Sequence, residues 1–597
     1  MLKQEAADIG LMSKVLGISD VMAQVMVNRG IRTRNTALEF LKPKPTAAEC
    51  NMKDIQEGLD TVYNAVMSGK KIVVYGDYDA DGVMSTVILF KALEGLGADV
   101  FYYIPQRSEE GYGLNKAAVQ GMASMGAGLI IACDNGITAI AEAELCAELG
   151  MELIIIDHHS PAFEESSPSS SEETPRRDII PRAAAVIDPK QKDCPYPFKH
   201  LCAAGLSYKF AKLLYDKMDS PLGDSDDEFK ALASIATVCD IVDLCEENRV
   251  LVTEGLHIIN NKSVNIGLDA LLRAKGSLGR KIDTQTIGFI LGPSINASGR
   301  LDHARYAVEL FLSVSEDEAS ELANWLVKVN EERRRLTRDA FKTIDEELCQ
   351  QPLGKVVVVY APNVHESIAG IVAGRIKDKH YRPSIVITDA NEGAKGSARS
   401  IEGYNIFEEL YKRKELFTRF GGHPMAAGLS LPHTNIDTLR YRLNSEFHLS
   451  DEALSPRTYY DADITLEQVS FSLATELAML EPFGKGNRPP VFRTNGALPQ
   501  EIRPIHDKDT IIITFEVGRR RIKALCFGMI DKLIEQANTI YKPEDTKRLM
   551  RGFLPKGFLL DMLYELEINE YRGSLSVQMR LRDFVVKLSQ ANQGGKL

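Results

Sequence analysis

Apolar positions along the chain follow two different periods, and the changes of period divide it. Over residues 1 to about 50, Leu11, Val15, Ile18, Val21, Val25 and Val27 recur at roughly helical spacing, and Pro43 and Pro45 mark the exit from the helix. From about 55 to 310, short apolar runs at 72–75, 100–104, 129–133, 153–156 and 184–187 alternate with helical patterns. That alternation predicts a mostly parallel sheet covered on both faces. Residues 315–349 contain neither Pro nor Gly, and Leu322, Leu326, Val329, Leu336, Ile344 and Leu348 keep close to a helical period. A continuous helix here would be roughly 50 Å long, enough to join two lobes. A second α/β pattern opens at 355–360 and continues through a helix at 368–376 and a strand at 384–388. From about 455 the period shortens to strands at 510–517, 521–527, 558–568 and 575–581, separated by glycine and charged turns, as in a small barrel of OB-fold type.

The expected architecture is α/β: two α/β lobes joined by a long helix, plus a C-terminal OB-fold-like β-barrel. The boundaries follow the pattern: a helical arm at 1–50, a first lobe at 51–312, the connecting helix at 313–350, a second lobe at 351–452 and the barrel at 453–597. A chain of 597 residues needs several cores.

Composition narrows the class. With 44% hydrophobic and 26% charged residues the chain is ordinary for a globular protein. No apolar run approaches the roughly 18 residues of a membrane span. The first residues, Met1 to Asp8, lack the basic start and apolar core of a secretory leader. A cytoplasmic protein with no membrane partner is expected. Nine cysteines without a CxxC pair read as reduced thiols. The net charge of −12 argues against a protein that coats nucleic acid, but not against a nuclease with an acidic metal site and local basic grooves.

The chemistry sits where the predicted strands end. The run at 72–75 leads into Gly76-Asp77-Tyr78-Asp79-Ala80-Asp81-Gly82, that at 129–133 into Asp134-Asn135-Gly136, and that at 153–156 into Asp157-His158-His159. In open parallel sheets, ligands bind at the carboxyl ends of the strands. Three aspartates in five residues repel one another unless cations sit among them. Aspartate with neutral imidazole suits Mn²⁺ or Zn²⁺, with Mg²⁺ at the carboxylate-rich side. A lone acidic turn or histidine pair is usually solvated; three acidic strand ends in one sheet favour metal.

These three segments, in this order and spacing, resemble the first three motifs of the DHH phosphoesterase superfamily. Residues 234–244 resemble the fourth, with Asp240 at the family position and Asp243 a weaker candidate. Residues 292–302, carrying Asn296 and Arg300, resemble a loop of the RecJ-type nucleases, and 103–113, carrying Arg107, is similar to the same subfamily. Gly421-Gly422-His423-Pro-Met-Ala-Ala-Gly428 resembles the signature of the DHH-associated domain of DHHA1 type, and 481–487 resembles the stretch that opens the barrel region. The resemblance covers nearly the whole chain.

It implies a 5′→3′ exonuclease specific for single-stranded DNA, releasing mononucleotides with two divalent cations, Mn²⁺ or Mg²⁺, in repair and recombination. A single-strand binding protein and a helicase are candidate partners. Asp79, Asp81, Asp134, His158 and Asp240 would hold the cations, with Asp77, Asp157 and His159 as ligands or supporting partners, and His159 counted with the catalytic set. Arg300, Ser397, Arg399 and His423 would fix the end of the strand, with Arg107, Asn296, Arg375, Gly421 and Gly422 as further substrate contacts. The residue types agree: the glycine pair admits a phosphodiester against the backbone, and Ser397 and Arg399 are phosphate donors. One departure is Ser367, where the commonest RecJ pattern carries a glycine. Arg519 to Lys523, with Phe515 and Phe527, suit a single-stranded nucleic-acid groove. Arg333-Arg334-Arg335 read as a solvated helix face, and the Ser/Glu/Pro-rich stretch 160–178 as an idle insertion rather than a lid. Two rival functions remain: a DHH phosphodiesterase for cyclic dinucleotides or short oligonucleotides, and a catalytically inactive DNA-binding scaffold.

Overall fold

The structure is a computed structural model describing residues 2–43, 51–107, 110–163, 178–350, 352–390, 393–571 and 573–589. Most of the Ser/Glu/Pro-rich stretch, at 164–177, lies outside the described residues. The chain forms two compact units, one of residues 48–242 and 254–457, the other of residues 1–47, 243–253 and 458–597. Among the described residues, no single helix is long and apolar enough to cross a membrane.

The first unit holds both α/β lobes. Its first sheet has strands β1 (Ile72–Tyr75), β2 (Val100–Tyr103), β3 (Leu129–Cys133), β4 (Glu152–Ile156) and β5 (Ala185–Ile187), all parallel, in the order β2-β1-β3-β4-β5. Every residue of β1, β3 and β5 is buried, so these strands are unbroken apolar runs, as a sheet covered on both faces requires. Helix α1 (Ala80–Gly95) leaves β1, and α2 (Ala203–Lys217) and α3 (Ser225–Cys239) pack against it.

The 292–302 segment, expected as a loop, is instead a helix, α4 (Gly292–Leu301), continuing from a π-helical turn at Ile287–Leu291. Pro293 falls in the first turn of α4, where its missing N–H costs nothing. Here the glycines serve close helix packing. A Cβ on Gly292 would stand 2.5 Å from Cys239 Sγ, and one on Gly299 2.3 Å from the Tyr78 carbonyl oxygen.

The expected long helix is α5 (Glu316–Leu348), 33 residues. Its Arg335 pairs with Glu332 and Asp339, in keeping with a solvated face. It leads into the second sheet: β6 (Val357–Tyr360), β7 (Ser384–Asp389), β8 (Ala394–Arg399), β9 (Arg419–His423) and β10 (Ala426–Leu431), ordered β9-β10-β8-β7-β6, with helix α6 (Glu366–His380) between β6 and β7. Only β6 and β7 pair parallel.

The second unit is built on a seven-stranded sheet that ends in a long hairpin, Phe558–Tyr571 and Ser574–Leu588. Helix Asp20–Asn28 contributes Met22, Val25 and Met26 to the core of this sheet, beside Leu473, Phe492 and Phe515. Phe515 is therefore no stacking platform. It is fully buried, because alternation along Thr510–Val517 turns Ile511, Ile513 and Phe515 inward together. Phe527 is exposed, while Arg520 donates to the carbonyls of Val469 and Glu467. Asp243 belongs to this unit and lies 3.9 Å from Lys485.

Arg249 is the largest buried cation of the unit. Its guanidinium donates to the carbonyls of Phe40, Glu481 and Pro482 and stacks 4.0 Å from the Phe40 ring centroid. Truncating it strands buried carbonyls, so Arg249→Ala is expected to cost about 2–4 kcal/mol, read as a lowered Tm in thermal unfolding.

Candidate active site

Two of the acidic groups are held by backbone amides at helix starts. Asp79 caps α1, its Oδ1 accepting from the amides of Asp81 (3.0 Å) and Gly82 (3.2 Å). Asp81 is fully buried and caps α2, accepting from the amides of Ala203 and Ala204 at 2.8 Å each. Asp134 follows β3 in the left-handed region (φ 61°), and Ile241, directly after Asp240, does the same (φ 57°). For a β-branched isoleucine this is a strained conformation, and strain of this kind gathers at functional sites.

His158 stands at the centre. Its Nε2 lies 3.3 Å from Asp134 Oδ1, 3.6 Å from Asp81 Oδ2 and 3.7 Å from Asp240 Oδ2. Both its ring nitrogens and Asp77 Oδ1 are buried without a hydrogen-bond partner. Burial above all lowers the His158 pKa to about 4, leaving a neutral imidazole, the form that ligates metal. Burial, then the charge of neighbouring aspartates, raises Asp77, Asp81, Asp134 and Asp240 above the ordinary carboxylate range. Three overlapping sets have ligand atoms within 4.8 Å of one another: Asp77, Asp79 and Asp134; Asp81, His158 and Asp240; and Asp134, His158 and His159. Orphaned buried nitrogens and oxygens, crowded carboxylates and a neutral imidazole fit divalent cations.

Asp157 stands apart. It accepts from the amides of Ile137, His158 and His159 and from His159 Nδ1 at 2.8 Å, so its oxygens are occupied and it falls in none of the three sets. Burial opposes ionisation of Asp157, but the bond and charge of His159 outweigh it and hold the carboxyl far below its usual range. The same bond raises His159 to about 9 against the effect of burial. Asp157 thus orients the imidazole beside it.

Sequence reasoning did not single out Tyr112, whose hydroxyl donates to the Asp134 carbonyl (3.0 Å) and lies 3.3 Å from His159 Nδ1. Nor did it find the Ala203 and Ala204 amides. The only signal for them was a run of small residues, Ala203-Ala204-Gly205, opening a helix.

Next to this centre, a cavity of about 280 Å³ lies between the two sheets, lined by Tyr78 and Arg107 on one side and by Ser367, Ser397 and Gly428 on the other. Arg107 stacks over the Tyr78 ring at 5.0 Å. Arg300 donates to the Ser367 carbonyl at 2.9 Å, and burial followed by the charge of Arg107 lowers its pKa to about 10. Arg399 is lowered for the same two reasons. Among the described residues, none of these three guanidiniums pairs with a carboxylate. Mutually repelling, partly buried cations need an anion. Gly421, Gly422 and His423 run along β9, paired with Gly428, Ala427 and Ala426, beside the cavity but not in its wall. Asn296 Oδ1 is buried without a partner. Arg375 lies near Arg334 and Arg338 of α5 rather than at the cavity.

The chain matches the family models described as DHH family, N-terminal domain (residues 71–237), DHHA1 domain (353–448) and RecJ OB domain (460–583). It is 34% identical to the single-stranded-DNA-specific exonuclease RecJ of Bacillus subtilis, over 96% of this chain and 69% of that protein. It is 30% identical to the protein of the same name from Escherichia coli, over 94% of each. The chain belongs to the RecJ family. The crystal structure of RecJ from Thermus thermophilus in complex with Mn²⁺ superposes with a TM-score of 0.77 at 26% identity, covering 97% of this chain and 78% of that one. A second structure of that RecJ is in complex with Mg²⁺. Divalent Mn²⁺ or Mg²⁺ is thus the cofactor for which the acidic cluster of this RecJ-family chain is built.

A carboxyl whose pKa is higher in the folded than in the unfolded chain stabilises the fold while protonated, and that contribution is lost as pH rises through the raised value. The metal-free protein is therefore expected to lose thermal stability from about pH 4 upward. Mn²⁺ should raise Tm more at about pH 8 than at about pH 5. A His158→Ala variant should show little of this metal-dependent shift in the same thermal scans.

Proposed function

We propose that this chain is a 5′→3′ exonuclease that hydrolyses single-stranded DNA to mononucleotides with two divalent cations. The observation that carries the reading is the pairing, within one compact unit, of a buried carboxylate–imidazole cluster with three neighbouring guanidiniums, Arg107, Arg300 and Arg399, that pair with no carboxylate among the described residues. Asp79, Asp81, Asp134, His158 and Asp240 would hold the cations, with Asp77 and His159 completing the ligand sets and Asp157 orienting His159. Bound cations supply Lewis-acid polarisation of a phosphate oxygen and a more acidic water. Arg107, Arg300, Ser397 and Arg399 bind the terminal phosphate, and His423 with its glycine pair lies alongside the strand. A pocket that closes on the strand's end sets the scissile bond one nucleotide inward, which makes the cut exonucleolytic.

The 5′→3′ polarity and the preference for DNA follow from family membership. The proposed partners, a single-strand binding protein and a helicase, and a role in repair and recombination are carried over from the family resemblance. A cytoplasmic location is the matching proposal, supported by free cysteines, several of them buried. The C-terminal unit, which matches the RecJ OB domain, favours long strands over cyclic dinucleotides.

Digestion of a 5′-phosphorylated, internally labelled single strand with Mn²⁺ is expected to release mononucleotides progressively from the 5′ end. Asp79→Ala and His158→Ala should be slower by about 10³-fold or more. Untouched long strands with cleaved dinucleotides would point to the small-substrate phosphodiesterase, and binding without cleavage to the scaffold. Arg399→Ala should lower kcat/KM on the phosphorylated strand by about 10–100-fold while keeping the Mn²⁺-dependent Tm shift of the wild type.

A further inference from the structure

On β8, Lys395, Ser397 and Arg399 occupy alternate positions and project from one face of the strand, about 6.5–7 Å apart. On β10, Gly428 stands opposite Ser397 and Ser430 opposite Lys395. The phosphate-binding row therefore runs on past Ser397, but its electrostatics change there. Among the described residues Arg107, Arg300 and Arg399 pair with no carboxylate, whereas Lys395 Nζ lies 2.9 Å from Glu366 Oε2. Glu366 sits in the first turn of α6.

Glu366, Thr388 and Lys395 line the terminal pocket and also a second cavity of about 380 Å³ beyond it. That cavity has room for additional phosphate groups, but its charge is wrong for them. Its wall carries Asp389, which accepts from the Tyr360 hydroxyl (2.6 Å) and is paired with His433 Nε2 (2.8 Å). His365 is the other ionisable group in that wall.

We propose that the Glu366–Lys395 pair is an electrostatic end stop, so that the terminal pocket accepts a strand ending in a single phosphate and turns away one ending in a 5′-triphosphate. The first phosphate meets unpaired guanidiniums. A second or third, continuing the row, meets the Glu366 carboxylate and then Asp389, with Lys395 already neutralised. Because the space is there, the rejection is one of charge, and removing the charge should relax it. Glu366 is here a specificity-determining residue and takes no part in bond cleavage. The inference rests on the terminal-phosphate reading of the pocket given above.

The test uses the full-length protein with Mn²⁺ and two otherwise identical single strands, one 5′-monophosphorylated and one 5′-triphosphorylated. The readout is the ratio of their kcat/KM values. The wild type should favour the monophosphate by about tenfold or more, and Glu366→Gln should shrink that ratio by about five- to tenfold. Glu366→Gln/Asp389→Asn should shrink it further, and adding Lys395→Ala to Glu366→Gln should restore part of it. A ratio near one in the wild type, or one unmoved in both carboxylate variants, overturns the end stop. If the wild type releases no mononucleotide even from the monophosphorylated strand, the terminal-phosphate reading itself has failed. Digestion of that strand with an unmoved ratio removes the end stop alone.

Discussion

Asp77, Asp79, Asp81, Asp134 and Asp240 crowd around one neutral imidazole, and the first lobe is arranged so that this crowding survives folding. Like charges in a partly dry site are costly, and three devices keep the cost bearable. Helix amino termini and turn amides donate to Asp79 and Asp81. Burial lifts the pKa values of the others so that protons can be held in the absence of cations. Divalent cations then supply the missing positive charge. The parallel sheet is what makes this possible, since it delivers several strand ends to one edge at once.

The pocket beside this cluster presents the opposite charge. Arg107, Arg300 and Arg399 converge with no carboxylate partner among the described residues, and the carbonyl of Ser367 ties Arg300 in place. The site thus has two halves of opposite charge: anionic side chains that suit cations, and cationic side chains that suit an anion. Arg300 comes from the first lobe and Ser397 from the second. The long helix α5 joins the two lobes between which the cavity lies.

Much of this was legible before any coordinates. The strand ends are local features, each an apolar run stopped by aspartate, and Asp77, Asp79, Asp81, Asp134 and His158 do gather as their spacing implied. The helix at 316–348 was equally plain, because 33 residues without Pro or Gly leave little else to form. The exceptions are instructive. Gly292 to Leu301 was expected as a loop from its resemblance to a loop of the RecJ-type nucleases; packing against Cys239 and Tyr78 demands small residues, and a helix built of them results. Phe515 looked available for a base, but one step of strand register decides which face of the sheet it occupies.

Which residue types gather at the site, and most of the elements that bear them, were written in the chain itself, as short-range pattern and residue type. Their roles came only with the packing. Asp157 accepts from three amides and from His159 and falls outside the three clusters of potential ligands, a distinction that no motif contains. The amides that hold Asp81 come from Ala203 and Ala204, far along the chain. Whether an arginine pairs with an acid or stands open to a phosphate depends on what the fold brings beside it. Arg335, caught between Glu332 and Asp339, and Arg300, left without a carboxylate, are the same residue type on neighbouring helices of one unit. Only the packing separates them, because Coulomb interactions act through space, whatever the separation along the chain.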